Sequence, residues 1–187
     1  MSGFIIRLED NGVLDHYWKL VSDIGEGKAR KVFAMAMNKV GRKGYTSVVR
    51  ALSKQTSIKQ KDVRAATSFR RASPGSLATI INANGRPLSL KYFGAKQFAF
   101  GSRAKVWGKT QRFESAFIYA GTYRSGNPVG GGHVFIRTSA ASKPLRTLYG
   151  PSVPNEIVKD DAYDAFEGSA NEVLTEVTRL LKVKGLL

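Results

Sequence analysis

The apolar residues change period twice along this chain, and that double change constrains the fold more than any other sequence feature. Val13, Tyr17, Leu20, Val21 and Ile24 recur at helical spacing, and Ala29, Val32, Phe33, Ala36 and Val40 continue it on a rotated face. The spacing predicts one long helix over about 11–40, bent near Gly25 and Gly27. Gly41-Arg42-Lys43-Gly44 is expected to end it. Val48, Val49 and Leu52 resume the helical period over 45–56, Thr56-Ser57-Ile58 forms a turn, and Val63 and Ala66 mark a short helix over 59–66. From Thr67 the pattern is that of strands, at 67–72, 77–83, 87–93, 104–107, 113–120, 133–138 and 144–149. Pro74-Gly75 and Asn84-Gly85 supply turns between them. The helical period then returns over 160–184, with Tyr163, Phe166, Ala170, Val173, Val177, Leu180 and Leu181 on one face and acids on the other.

Helices over 11–66, a strand-rich stretch over 67–150 and a final helix over 160–184 are segregated, not alternating. Segregation argues an α+β fold with a mostly antiparallel sheet of about six strands, flanked by a long N-terminal helix, a helical hairpin and a C-terminal helix. No internal repeat or domain boundary interrupts the chain, so residues 1–187 are read as one domain. At 187 residues it buries a core without metal or disulfide staples. The absence of cysteine excludes a disulfide framework, a cysteine-ligated zinc site and thiol catalysis. The N-terminal apolar patch is too short for a signal peptide, and no apolar run approaches the roughly 20 residues of a membrane span. A soluble intracellular product with no membrane partner is expected.

Charge is the compositional outlier, with 30 Lys plus Arg against 14 Asp plus Glu. Residues 41–112 hold 16 of the basic residues and a single acid, Asp62, whereas residues 150–187 carry 4 basic and 7 acidic residues. A block of that density faces a polyanion, an acidic protein surface, or the acidic end of a neighbouring copy.

Most motifs that suggest chemistry fail on spacing. Gly108-Lys109-Thr110 has Arg103 where a phosphate-cradling loop needs its first glycine, and its flanks read as strand. Gly130-Gly131-Gly132 opens no helix and lacks the dinucleotide spacing. His16 and His133 have no carboxylate or second histidine at ligand spacing. Asp160, Asp161, Asp164 and Glu167 sit where a helix N-terminus favours acids and lack a coordination loop. Nothing here points to catalysis, a metal or a cofactor. One motif passes. Residues 45–66 read as helix, tight turn, helix, the pattern of a DNA-binding helix-turn-helix whose second helix presents Lys59, Gln60, Lys61 and Arg64. A helical hairpin packed on a sheet gives the same pattern.

Several short blocks, taken in order, are more specific. Residues 54–65 (KQTSIKQKDVRA) are followed by 85–90 (GRPLSL), 93–97 (FGAKQ), 104–108 (AKVWG), 113–118 (FESAFI), 132–137 (GHVFIR) and 144–154 (PLRTLYGPSVP). Together they resemble the minor tail protein Z family of tailed phages over roughly residues 45–158. Ser57 and Ser115 stand where that family more often has glycine, which reads as ordinary drift. The resemblance implies a structural virion protein, not an enzyme. It would complete the head-proximal end of a tail and help join tail to head in the neck, as a ring, typically six-fold, around the DNA channel. The partners it implies are further copies of the chain, the tail terminator or tail tube protein and the head–tail connector proteins, with the genomic DNA backbone as a further contact. It implies assembly in the host cytoplasm and carries over no catalytic residue. Lys59, Lys61, Arg64, Arg70, Arg71, Lys105 and Lys109 of the basic block, with Arg124 of the glycine-rich loop over 121–132, are the candidate DNA-channel or subunit-contact residues. The alternative is a sequence-specific DNA-binding protein using the helix-turn-helix at 45–66.

Overall fold

The computed structural model describes residues 2–7, 25–139 and 144–186. Strand β1 (Ser2–Arg7) precedes a 31-residue helix α1 (Glu26–Thr56), a short helix α2 (Gln60–Ala66) and strands β2 (Thr67–Arg70) and β3 (Ala78–Ala83). Strands β4 (Lys96–Phe98), β5 (Gly101–Val106), β6 (Lys109–Glu114), β7 (Ala116–Ile118), β8 (Val134–Arg137) and β9 (Leu145–Thr147) follow. Helices α3 (Val153–Glu156), α4 (Asp160–Ala170) and α5 (Val173–Val183) close the chain. The class is α+β and every strand pair is antiparallel, as the segregated periods predict. The sheet is not one body of about six strands. Among the described residues nine strands form three sheets, ordered β1–β3–β2, β4–β5–β6 and β7–β8–β9.

Helix α1 is the spine. At 1.5 Å per residue it is about 46 Å long, and it carries both apolar clusters. Its first half, with Val32, Phe33, Met37 and Val40, packs on Val173, Val177 and Leu181 of α5. Its second half, with Val48, Val49 and Leu52, joins Val63 of α2, Ile81 of β3, Val106 of β5 and Val134 of β8 in the larger cluster. Phe4 of β1 enters that cluster and stacks on Phe166 of α4 at 4.2 Å. Asn38 adds a polar pin: its amide accepts from the Ala72 N–H at 2.8 Å and donates to the Ala72 carbonyl at 2.9 Å.

Several sequence expectations need correction. Gly41-Arg42-Lys43-Gly44 does not break the helix, which runs through it. These glycines serve close approach instead. A β-carbon on Gly41 would press on Phe69 and Thr79 at 3.2 Å, and one on Gly44 would collide with the Ser169 side chain of α4. The helix begins at Gly25, whose φ of 87° suits glycine, so the expected bend there is an end. The rest of the helix expected over 11–24, the turn at Asp10-Asn11-Gly12 and His16 lie outside the described residues. The helix expected over 160–184 is two helices, α4 and α5, parted at Asn171 and Glu172. The N-terminal patch is a strand, because Phe4 and Ile6 pair against β3. The strand expected over 87–93 is half right. The backbone of Leu88 and Leu90 bonds to 148–151 like a ladder, and then Leu90–Phe93 coils into a 3-10 turn. The run 113–120 is split into β6 and β7 by Ser115 at φ 56°.

The Thr56-Ser57-Ile58 turn holds as expected, and its polar bonds explain the sequence. Thr56 Oγ1 donates to the Leu52 carbonyl at 2.6 Å and accepts from the Ile58 N–H at 3.2 Å. Ser57 is left-handed at φ 65°. Both departures from the family's glycines, Ser57 and Ser115, therefore fall at left-handed positions, where a side chain costs about 1 kcal/mol. Each carries strain that glycine would relieve.

Lys39 and Lys43 of α1 reach across to Glu176 and Glu172 at 2.9 and 2.7 Å, tethering α5. Hydrogen bonds from Arg179 and then Lys39 hold the Glu176 carboxyl down, from 4.5 to about 2.

Three measurements check this architecture. Gly→Ala in a helix interior ordinarily stabilises by about 1 kcal/mol. Gly168→Ala, with open space around it, should raise the melting temperature, whereas Gly44→Ala should lower it. Ser115→Gly should stabilise by about 1 kcal/mol in urea unfolding. Ser57→Gly should gain less, because the Ser57 hydroxyl accepts the Gly108 N–H at 3.1 Å. Glu176→Gln should cost about 1 kcal/mol or less. A depressed carboxyl stabilises the fold fully above its unfolded value. The gap between wild type and variant should therefore be complete above pH 4.5, narrow on acidification and vanish below about pH 2.

Candidate functional site

The candidate site grows out of a tight hairpin. Trp107 and Gly108 both have positive φ, 48° and 70°, and join β5 to β6 in a two-residue turn. This is what Gly108-Lys109-Thr110 builds, in place of a phosphate loop. The turn docks on the end of α1, where the Trp107 N–H bonds to the Thr56 carbonyl at 3.3 Å and the Gly108 N–H to Ser57. With the turn fixed, register follows: Arg103 lies opposite Arg112 on β6 and opposite Lys96 on β4. Strand alternation then buries Ser102, Ala104 and Val106 and exposes Arg103 and Lys105.

Lys96, Arg103 and Arg112 thus form one cationic row across three strands, and Lys105 stands two residues further along the same face. Two of these charges rest on aromatic rings: Arg103 lies 4.5 Å from the Phe98 ring centre and Arg112 5.1 Å from that of Phe100. The two rings stack on each other at 5.4 Å. Lys96, Arg103, Lys105 and Thr110 line an open groove beside Phe93 and Gly94. Glu114, the acid on this face, sits opposite Gly101 at the far end of the strand.

The eight residues expected at the contact surface are all exposed. None forms an ion pair with a carboxylate among the described residues. They do not form one patch. Lys59, Lys61 and Arg64 belong to the α2 segment, Arg70 ends β2 and Arg71 follows it. Lys105 joins the cationic row, whereas Lys109, opposite Val106, has the inward parity of the strand. Arg124 stands in the glycine-rich loop. That loop has more order than its composition suggests. Thr122 and Pro128 form a bridge, and Gly130, at φ 64°, packs so closely on Tyr119 and Phe135 that a β-carbon would come within 3.0 Å of both.

His133 is half-buried and held on both ring nitrogens. The Lys91 ammonium, which can only donate, lies 3.1 Å from His133 Nε2, so that nitrogen accepts. The neutral ring therefore carries its proton on Nδ1 and donates to Ser89 Oγ at 2.7 Å. Burial first, and then the charge of Lys91, push the His133 pKa below 6.5. No lone pair of this histidine faces Ser89, so it does not activate that hydroxyl. Among the described residues no group of acids and histidines is placed to hold a metal ion, and no helix is long and apolar enough to cross a membrane.

The acids divide by use. Glu172 and Glu176 are engaged by α1, and Glu156 pairs with Lys159 at 3.6 Å. Asp161, Asp164 and Glu167 line the exposed side of α4 and pair with no cation among the described residues.

No curated protein and no solved structure matches the chain. The family model for prophage minor tail protein Z, in contrast, matches residues 19–177. That match takes in α1, all eight strands after β1, α4 and the first turn of α5, so the chain belongs to the prophage minor tail protein Z family and is a structural protein of a phage tail.

Proposed function

We propose that this protein completes the head-proximal end of the tail as a ring, six-fold in the simplest closure, around the path of the DNA. It would lie between the tail terminator or tail tube protein and the head–tail connector, assemble in the host cytoplasm and act without catalysis. The observation that carries this reading is the pairing of two unneutralised surfaces on one chain. Asp161, Asp164 and Glu167 of α4 and cations such as Arg70, Arg71 and Arg124 differ in place and in sign, and form no ion pair among the described residues. Two unlike patches favour a head-to-tail contact, and such contacts close into rings when the rotation permits.

The helix-turn-helix reading is weaker on geometry. Helix α2 has seven residues, and the tip of the β5–β6 hairpin sits against the turn that precedes it. A reading helix presents its N-terminal end to base edges, and here that end adjoins a hairpin packed on the same turn.

Immunogold labelling of particles of the parent phage tests the placement, with label expected at the junction of head and tail. Label along the tail shaft or at the distal tip would overturn the neck assignment. At residue level, amide exchange over 121–132 should slow when the protein enters the assembled tail. Arg124→Glu should lower the yield of infectious particles. Equal exchange in free and assembled protein, with normal yield from the variant, would remove this loop from the contacts.

A further inference from the structure

We infer that the outward face of the β4–β5–β6 sheet, formed by Lys96, Arg103, Lys105 and Arg112, is a sequence-independent contact surface for the backbone of duplex DNA. The inference rests on the proposed position beside the DNA path and names the partner of one surface there.

The row of like charges opposes itself within the isolated fold. Like charges directly opposite each other on an antiparallel pair are destabilising, yet Arg103 faces a cation on both sides. None of the four cations pairs with a carboxylate among the described residues. An external anion resolves that repulsion.

Geometry selects the kind of anion. Neighbouring strands are about 4.8 Å apart, so the row spans about 10 Å, and Lys105 lies about 7 Å along the strand from Arg103. The cations therefore form a two-dimensional array, open to solvent along the groove where Thr110 adds a hydroxyl. An acidic helix offers a single line of carboxylates, whereas a duplex offers phosphates on two strands. Phe98 and Phe100 hold the two guanidinium groups in place before binding, which reduces the side-chain freedom lost on contact. Arginine's planar fork then matches phosphate oxygens in pairs. The face is a sheet surface and not a ridge that enters a groove, so it can hold the backbone without reading base edges.

Fluorescence anisotropy of the full chain with a random-sequence 30-base-pair duplex, over a salt series, tests this. Each phosphate contact contributes about 0.9 to the slope of log affinity against log salt. Lys96→Gln/Arg103→Gln/Arg112→Gln should flatten the slope by about 2.7, so that wild type loses about 40-fold more affinity than this variant between 50 and 200 mM salt. Lys59→Gln/Lys61→Gln/Arg64→Gln removes the same charge from α2 and should change the slope by less than half as much. Equal flattening in both variants would show that binding follows net charge, and the inference falls. It falls also if the sheet variant binds DNA like wild type but no longer self-associates in sedimentation velocity, for the face then meets the acidic helix of a second copy. Labelling at the neck together with an unchanged slope would remove this surface and leave the proposed function standing. Absence of label from the neck with a flattened slope would do the reverse.

Discussion

Everything in this fold depends on how closely other elements approach the middle of α1. A helix carrying side chains all round keeps its neighbours 8–10 Å away. Gly41 and Gly44, one turn apart, lower that barrier along one face. The sheet of β1–β3–β2 comes in over Gly41 through Phe69 and Thr79, and α4 comes in over Gly44 through Ser169. Each glycine weakens the helix intrinsically by about 1 kcal/mol. The close contact offsets that cost by bringing both apolar clusters onto one spine. Cohesion between the helical and strand-rich parts is therefore steric and apolar in origin. Thr79 shows how tight the junction is, since its hydroxyl is buried there with no hydrogen-bond partner.

Charge follows a separate logic. Glu172 and Glu176 are used within the fold, where they anchor α5 to α1, and the Glu176 carboxyl is held well below its ordinary titration range. The strand-rich part has almost no acids of its own, so its cations stay uncompensated at the surface. Among the described residues, ion pairing is thus confined to the helical side, and the cations of the sheet side face outward without a carboxylate partner. A tail protein that must hold its neighbours in a crowded assembly gains from this division, because altering a surface charge leaves the core undisturbed.

Much of this was legible in the sequence, and the failures have physical causes. The turn at Thr56-Ser57-Ile58 was legible because hydroxyls that cap backbone groups are a local signal. The apolar stripe of the last helices was legible because period survives even where Asn171 and Glu172 interrupt it. The Gly41–Gly44 segment misled because a glycine's propensity is local and its neighbours are not. Strand β1 was missed because its pairing with β3 bridges about 75 residues of sequence. Of the cationic row, only its neighbour Lys105 was anticipated. Arg103 and Arg112 are nine residues apart, and only register places them opposite each other. A signal existed: a two-residue turn at Trp107-Gly108 fixes 103 against 112 by symmetry about the turn. The tendency to read 113–120 as one strand hid it, since Ser115 gives no glycine to mark the break.

The division of nine strands into three sheets has a mechanical consequence. One sheet has two edges, whereas these three have six. Where β4 meets β7, the join is made largely by a side chain. The Gln97 amide accepts the Ile118 N–H at 2.8 Å on one side and donates to the Gly101 carbonyl at 3.0 Å on the other. The Ser102 hydroxyl adds a second bond, to the Ala116 carbonyl at 3.2 Å. A ladder of backbone bonds resists shear collectively, whereas side-chain bonds yield by rotating about their torsions. The seam between β4–β5–β6 and β7–β8–β9 therefore rests on side-chain bonds and on the continuous chain through Ser115. The Trp107-Gly108 tip, in contrast, is bonded through its backbone N–H groups to the end of α1. The fold has one compliant joint and one stiff strut, set at opposite ends of the same hairpin.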